Sequence, residues 1–121
     1  MPEIAILDDD RNLVVALTLQ LQAVGYTVRA YSAPHTALPE LIANPPDLLL
    51  LNGRMPGLHG IEVFRQFREH SQSPVIFVSA SAEEIEATLE TAGTPAEGYV
   101  PKPVWFDELA PLIERLAHAS R

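Results

Sequence analysis

Apolar residues along the chain follow two rhythms. Short unbroken runs stand at "EIAIL" (3–7), "DLLLL" (47–51) and "PVIFV" (74–78), while "TVRAY" (27–31) alternates and "GYVP" (98–101) is a shorter fifth candidate. Apolar runs of this length between turn-forming residues predict strands. The stretches between them carry apolar positions at helical spacing. "RNLVVALTLQLQAVG" closes with Gly25, a helix-ending signal. "SAPHTALPELIAN" opens with Ser32 as N-cap and Pro34 in the first turn, and Pro39 is expected to bend or shorten it. "HGIEVFRQFREH" sets Ile61, Phe64 and Phe67 on one face. "SAEEIEATLETAG" (81–93) has Ser81 and Glu84 at capping-box spacing and ends at Gly93. "FDELAPLIERLAHA" is the last predicted helix, disturbed early by Pro111.

The order is βα repeated five times. It predicts an α/β fold, a (βα)5 doubly wound parallel sheet with helices on both faces. The strands starting at Ile4, Leu48 and Val75 are apolar at every position, as central parallel strands must be. "TVRAY" alternates and exposes Arg29, and "GYVP" is short, so both read as edges. That distribution fits the strand order 2-1-3-4-5 of flavodoxin-like sheets.

Ligands of such sheets sit outside the carboxyl ends of the strands. After the first strand come Asp8, Asp9 and Asp10; after the third, Asn52, Gly53, Arg54, Met55 and Pro56. Ser79 follows the fourth, and Lys102 the fifth, just after Tyr99. One rim thus collects carboxylates, an amide, a hydroxyl and an ammonium. Neighbouring carboxylates invite a hard divalent cation such as Mg²⁺, which prefers oxygen ligands. A lysine and a hydroxyl facing that cation would hold the oxygens of a phosphoryl group. The rim reads as a phosphoryl-transfer site.

The rest of the chain narrows the function classes. Its 121 residues suit one domain, and 47% hydrophobic with 20% charged residues is a globular balance. The net charge of −8 argues against direct nucleic-acid binding and against anionic membranes. With no cysteine, disulfides and thiolate metal sites are excluded. Met1-Pro2-Glu3 offers no basic leader, and no apolar stretch reaches membrane-spanning length, so the expected compartment is cytoplasmic.

"ILDDD" (6–10), "PDLLLLNGRMPGLHG" (46–60), "VIFVSA" (75–80) and "GYVPKP" (98–103) together resemble the receiver domain of bacterial two-component response regulators. The resemblance covers essentially the whole of 1–121 as a single domain. It implies that Asp9 ligates Mg²⁺ directly, Asp8 through water, and the Arg54 backbone carbonyl as a further ligand beside position 52. It implies that Ser79 bonds the phosphoryl oxygen, that Lys102 pairs with acceptor and phosphate, and that Tyr99 is a switch aromatic. The implied partners are a histidine kinase or phosphotransfer protein, and an output domain or target protein. A monomer or weak homodimer is expected.

Three positions depart from the family pattern. Asn52 stands where the family carries its acceptor aspartate. His59 replaces a commonly acidic residue, and "GTPAEGY" (93–99) is longer than the usual loop before the fifth strand. An acyl phosphate needs a carboxylate nucleophile, which an amide is not. Position 52 is therefore expected not to be phosphorylated, and Mg²⁺ to be held more weakly. Asn52 is natural, in a receiver that signals through protein contacts alone, or an engineered block of the acceptor that traps the inactive state, or an Asp-encoded site changed for another reason; the retained Asp8, Asp9, Ser79 and Lys102 favour engineering or a recent loss.

Simpler readings compete at single residues. Asp8 to Asp10 could just cap the first helix, Lys102 could be a solvated surface lysine, and Tyr99 could be edge-strand packing. His59 reads as a loop residue, and Trp105 as packing at the start of the last helix, partly exposed. A flavodoxin-like cofactor binder shares the fold, but the charges of "DDDRN" would repel a flavin phosphate. A hydrolase with Asp8 or Asp9 as nucleophile would need a substrate cap that the chain does not offer.

Overall fold

A computed structural model describes residues 2–53, 55, 59–79 and 96–119, without the side chains of 118 and 119. Five strands, β1 (Glu3–Leu7), β2 (Thr27–Tyr31), β3 (Leu48–Asn52), β4 (Val75–Ser79) and β5 (Gly98–Pro101), form one parallel sheet. Their order is β2-β1-β3-β4-β5, as the hydrophobicity suggested. Helices α1 (Arg11–Ala23), α2 (Pro34–Ala43) and α3 (Gly60–Arg68) and a C-terminal helix (Phe106–Ala119) accompany it. The helix predicted over 81–93 lies outside the described residues.

The central strands are apolar throughout because both faces are covered. Ala5, Leu7, Leu49, Leu51, Val75 and Phe77 point to one side, where α2 and α3 bring Leu38, Leu41, Phe64 and Phe67. Ile4, Ile6, Leu48, Leu50 and Ile76 point to the other, against Leu17 and Leu21 of α1 and Leu109 and Ile113 of the C-terminal helix. All four leucines of β3 are buried, each contributing about 1.5–3 kcal/mol. Two core layers therefore fix β3 at the centre and Asn52 at its carboxyl end.

Local signals explain both ends of α1 and the start of α2. Asp10 caps α1, its Oδ1 accepting from the N–H groups of Asn12 (3.1 Å) and Leu13 (3.2 Å). Gly25 has φ 102°, a left-handed conformation that frees the chain to turn into β2. The α2 N-cap is Ala33, not Ser32, and no side chain caps it; Pro34 opens the helix with its preset φ. Pro39 and Pro111 do not end their helices, which continue to Ala43 and Ala119.

Two packing expectations change. Arg29 is not exposed: its guanidinium pairs with Glu3 at 3.0 Å and donates to the Asn44 carbonyl and, at 3.3 Å, to the Tyr31 hydroxyl. On α3 the buried face is Val63, Phe64 and Phe67, with Ile61 half-buried at its rim. Trp105, just before the C-terminal helix, is 63% exposed.

Candidate functional site

Parallel pairing of β1 and β3, with Leu7 opposite Leu51, brings the residues that follow β1 beside the end of β3. There the Asn52 side-chain nitrogen donates to Asp9 Oδ1 at 2.9 Å and to Asp8 Oδ1 at 3.2 Å. Carboxylates can only accept, so the amide nitrogen and not its oxygen must face them. From β5, Lys102 reaches Asp8 Oδ2 at 3.2 Å. Asp8, Asp9, Asn52 and Lys102 thus form one connected polar cluster across three strand ends.

The three aspartates divide their work. Asp10 caps the helix, as a simple reading of the run would have it. Asp8 and Asp9 turn to the sheet rim instead. Asp8 is buried at 3% exposure, and its Oδ1 also accepts from the Asp10 N–H at 2.9 Å. Burial pushes its carboxyl above the ordinary value; the Asp10 N–H and the Lys102 ammonium act against that, while neighbouring Asp9 reinforces it.

Asn52 and Ser79 are buried polar residues at adjacent strand ends. Ser79 stands opposite Pro101, and its carbonyl accepts from the Lys102 N–H at 2.8 Å, which fixes where the lysine leaves β5. The Lys102–Pro103 peptide is cis. Tyr99 is half-buried, lies opposite Phe77 and packs against the core on the α2–α3 side. Arg54 lies outside the described residues, as do residues 93–95 of the loop that precedes β5. His59 is exposed at the N-cap of α3 and makes no side-chain capping bond.

One residue of the site carries no side chain and was not singled out by the sequence. Gly60 begins α3 so close to β3 that a Cβ would collide with the Asn52 carbonyl oxygen and lie 2.8 Å from Gly53 Cα. Its N–H donates to the Gly53 carbonyl at 3.3 Å. A glycine opening an amphipathic helix was the available signal.

The donor set suits a hard cation in kind, with two carboxylates and an amide. The amide is neutral, and its nitrogen already donates to both carboxylates. Among the described residues, no group of three His, Cys, Asp or Glu stands where it could hold a metal. No described helix is long and apolar enough to cross a membrane.

The chain is similar to known proteins in sequence and in fold. Residues 4–114 match the family model of the response regulator receiver domain. The phosphate regulon transcriptional regulatory protein PhoB of Rhizobium meliloti is 32% identical over all of this chain, which covers 54% of that protein. The Streptomyces avermitilis transcriptional regulatory protein CseB is 34% identical over 94% of the chain and 50% of its own length. The chain therefore spans about half the length of these relatives. Among solved structures, the response regulator TrrA of Thermotoga maritima, in complex with Mg²⁺ and BeF, superposes with a TM-score of 0.85. It is 29% identical, covering 96% of this chain and 99% of that one. By its sequence, its sheet order and the residues at its strand ends, the chain belongs to the response regulator receiver domain family.

Proposed function

We propose that this chain serves two-component phosphorelay signalling as a receiver whose acceptor position is closed by Asn52. The observation that carries this reading is the pair of hydrogen bonds from the Asn52 amide to Asp8 and Asp9. In the proposed site Asp9 would hold Mg²⁺ directly and Asp8 through water, with the Arg54 carbonyl and Asn52 Oδ1 as further oxygens. Turning Oδ1 toward a cation costs both amide hydrogen bonds, so Mg²⁺ binds more weakly than it would to an aspartate. When bound, the ion would neutralise charge on a phosphoryl group. Lys102 and Ser79 orient that group's oxygens, and Tyr99 responds to movement of Ser79. The partners are a histidine kinase or phosphotransfer protein and an output domain or target protein, in the cytoplasm. The domain is a monomer or weak homodimer, regulatory rather than enzymatic.

A second reading is an adaptor that signals through protein contacts without phosphorylation. It is favoured by the way Asn52 and Lys102 already satisfy the two aspartates without a cation.

Intact mass after incubation with Mg²⁺ and a small phosphodonor separates the two, run beside an Asn52→Asp variant. The blocked receiver gains no phosphate, and the variant gains one. If neither gains one, the site has lost phosphoryl chemistry beyond position 52 and the adaptor reading stands. Phosphate on the freshly prepared unaltered chain, with position 52 still asparagine, overturns both.

A further inference from the structure

We propose that Asn52 is a slow self-modification site, converting to aspartate through Gly53. Asn52 ends β3, and Gly53 follows it in a bend beyond the last paired residues, Asn52 and Val78. Glycine places no side chain beside its own nitrogen, so that nitrogen can approach the asparagine side chain unhindered. The Gly53 backbone nitrogen, giving up its proton, bonds to Asn52 Cγ. The Cγ–Nδ2 bond breaks, and Nδ2 leaves as ammonia with that proton. Water then opens the five-membered succinimide. Attack at Cγ breaks the new bond and gives aspartate; attack at the Asn52 backbone carbonyl carbon gives isoaspartate.

The fold sets the pace. Asp8 and Asp9 hold the departing nitrogen by hydrogen bonds, and from α3 the Gly60 N–H donates to the Gly53 carbonyl at 3.3 Å. Conversion in the native chain therefore waits for local opening of this strand end, which costs less than global unfolding. The product has a third carboxylate at the rim. The consequence for signalling rests on the receiver reading; the conversion itself does not.

The test ages the full chain at mildly alkaline pH, native and in denaturant. Peptide mass spectrometry follows residues 48–60, and thermal melts of the native samples follow with and without Mg²⁺ and beryllofluoride. Asn52→Gln, which cannot close a five-membered ring, and Gly53→Ala are carried alongside. Expected is a deamidation mass gain at position 52, faster in denaturant than in the folded chain, slowed in Gly53→Ala and absent in Asn52→Gln. The aged native sample gains a Mg²⁺- and beryllofluoride-dependent rise in Tm that the fresh sample lacks. A native sample with no gain at 52 while the denatured one converts overturns the proposal, because the fold then protects the residue fully. Equal rates in Gly53→Ala and the unaltered chain overturn the succinimide route. Aspartate formed at 52 without any rise in Tm upholds the modification and overturns the receiver reading behind its consequence.

Discussion

Asp8 concentrates the electrostatic cost of the site. It is buried, ion-paired to Lys102 and hydrogen-bonded by Asn52 and Asp10, and burial is still the largest influence on its carboxyl. Its folded-state pKa is raised above the ordinary 3.8. Between 3.8 and the raised value, the folded chain keeps a proton that the unfolded chain has released. Stability therefore falls as pH rises through that window, and the penalty is complete above it. Each unit of elevation is worth about 1.4 kcal/mol. Asp8→Asn removes this titration. Whatever offset the lost Lys102 pairing adds, the stability of the variant relative to the unaltered chain should improve from about pH 3 upward and then level off. Chemical denaturation of both proteins across that range checks it; a difference that does not change with pH would sink the assignment.

The start of α3 is the element that the site cannot do without. Gly60 lets the helix begin in contact with the Asn52–Gly53 peptide, and Val63, Phe64 and Phe67 hold the rest of it in the core. Gly60→Ala gains helix propensity but forces the helix away from β3. The strain should prevail, at about 1–3 kcal/mol, read as a lower denaturation midpoint with an unchanged m-value. An unchanged or raised midpoint would mean that α3 can shift freely. This contact shows where legibility in the sequence stopped. Central strands were readable because two covered faces require unbroken apolar runs, as at 48–51. The rim was readable because parallel strands deliver their carboxyl ends to one side. Close approaches between distant segments were not: Gly60 against Asn52, and Glu3 and the Asn44 carbonyl over Arg29, which alternation on an edge strand had marked as exposed. Likewise, Pro39 and Pro111 were read as disturbances, yet packing of Leu41 and Ile113 carries both helices through.

Across the sheet, the polar cluster links the centre to an edge. Asn52 on β3 touches Asp8 after β1, and Asp8 holds Lys102 at the end of β5, beside the C-terminal helix. A change of charge at position 52 should therefore be felt on β5. With aspartate there and no cation, three carboxylates share one lysine. Repulsion between carboxylates about 4 Å apart is worth about 1 kcal/mol in bulk water and about 4 kcal/mol at the lower effective dielectric of a protein surface. Metal-free Asn52→Asp should melt below the unaltered chain. Amide exchange at the carboxyl ends of β1, β3 and β5 should speed up, roughly tenfold for each 1.4 kcal/mol of lost local stability. Mg²⁺ should reverse both effects in the variant and change the unaltered chain much less, because its own amide already occupies the space between Asp8 and Asp9. Acceleration confined to β3 would show that Lys102 does not carry the charge to the edge strand. Equal Mg²⁺ responses in the two proteins would show that neither the missing anion nor the amide's hydrogen bonds govern cation binding, and the account of Asn52 as a closed acceptor would fail with them.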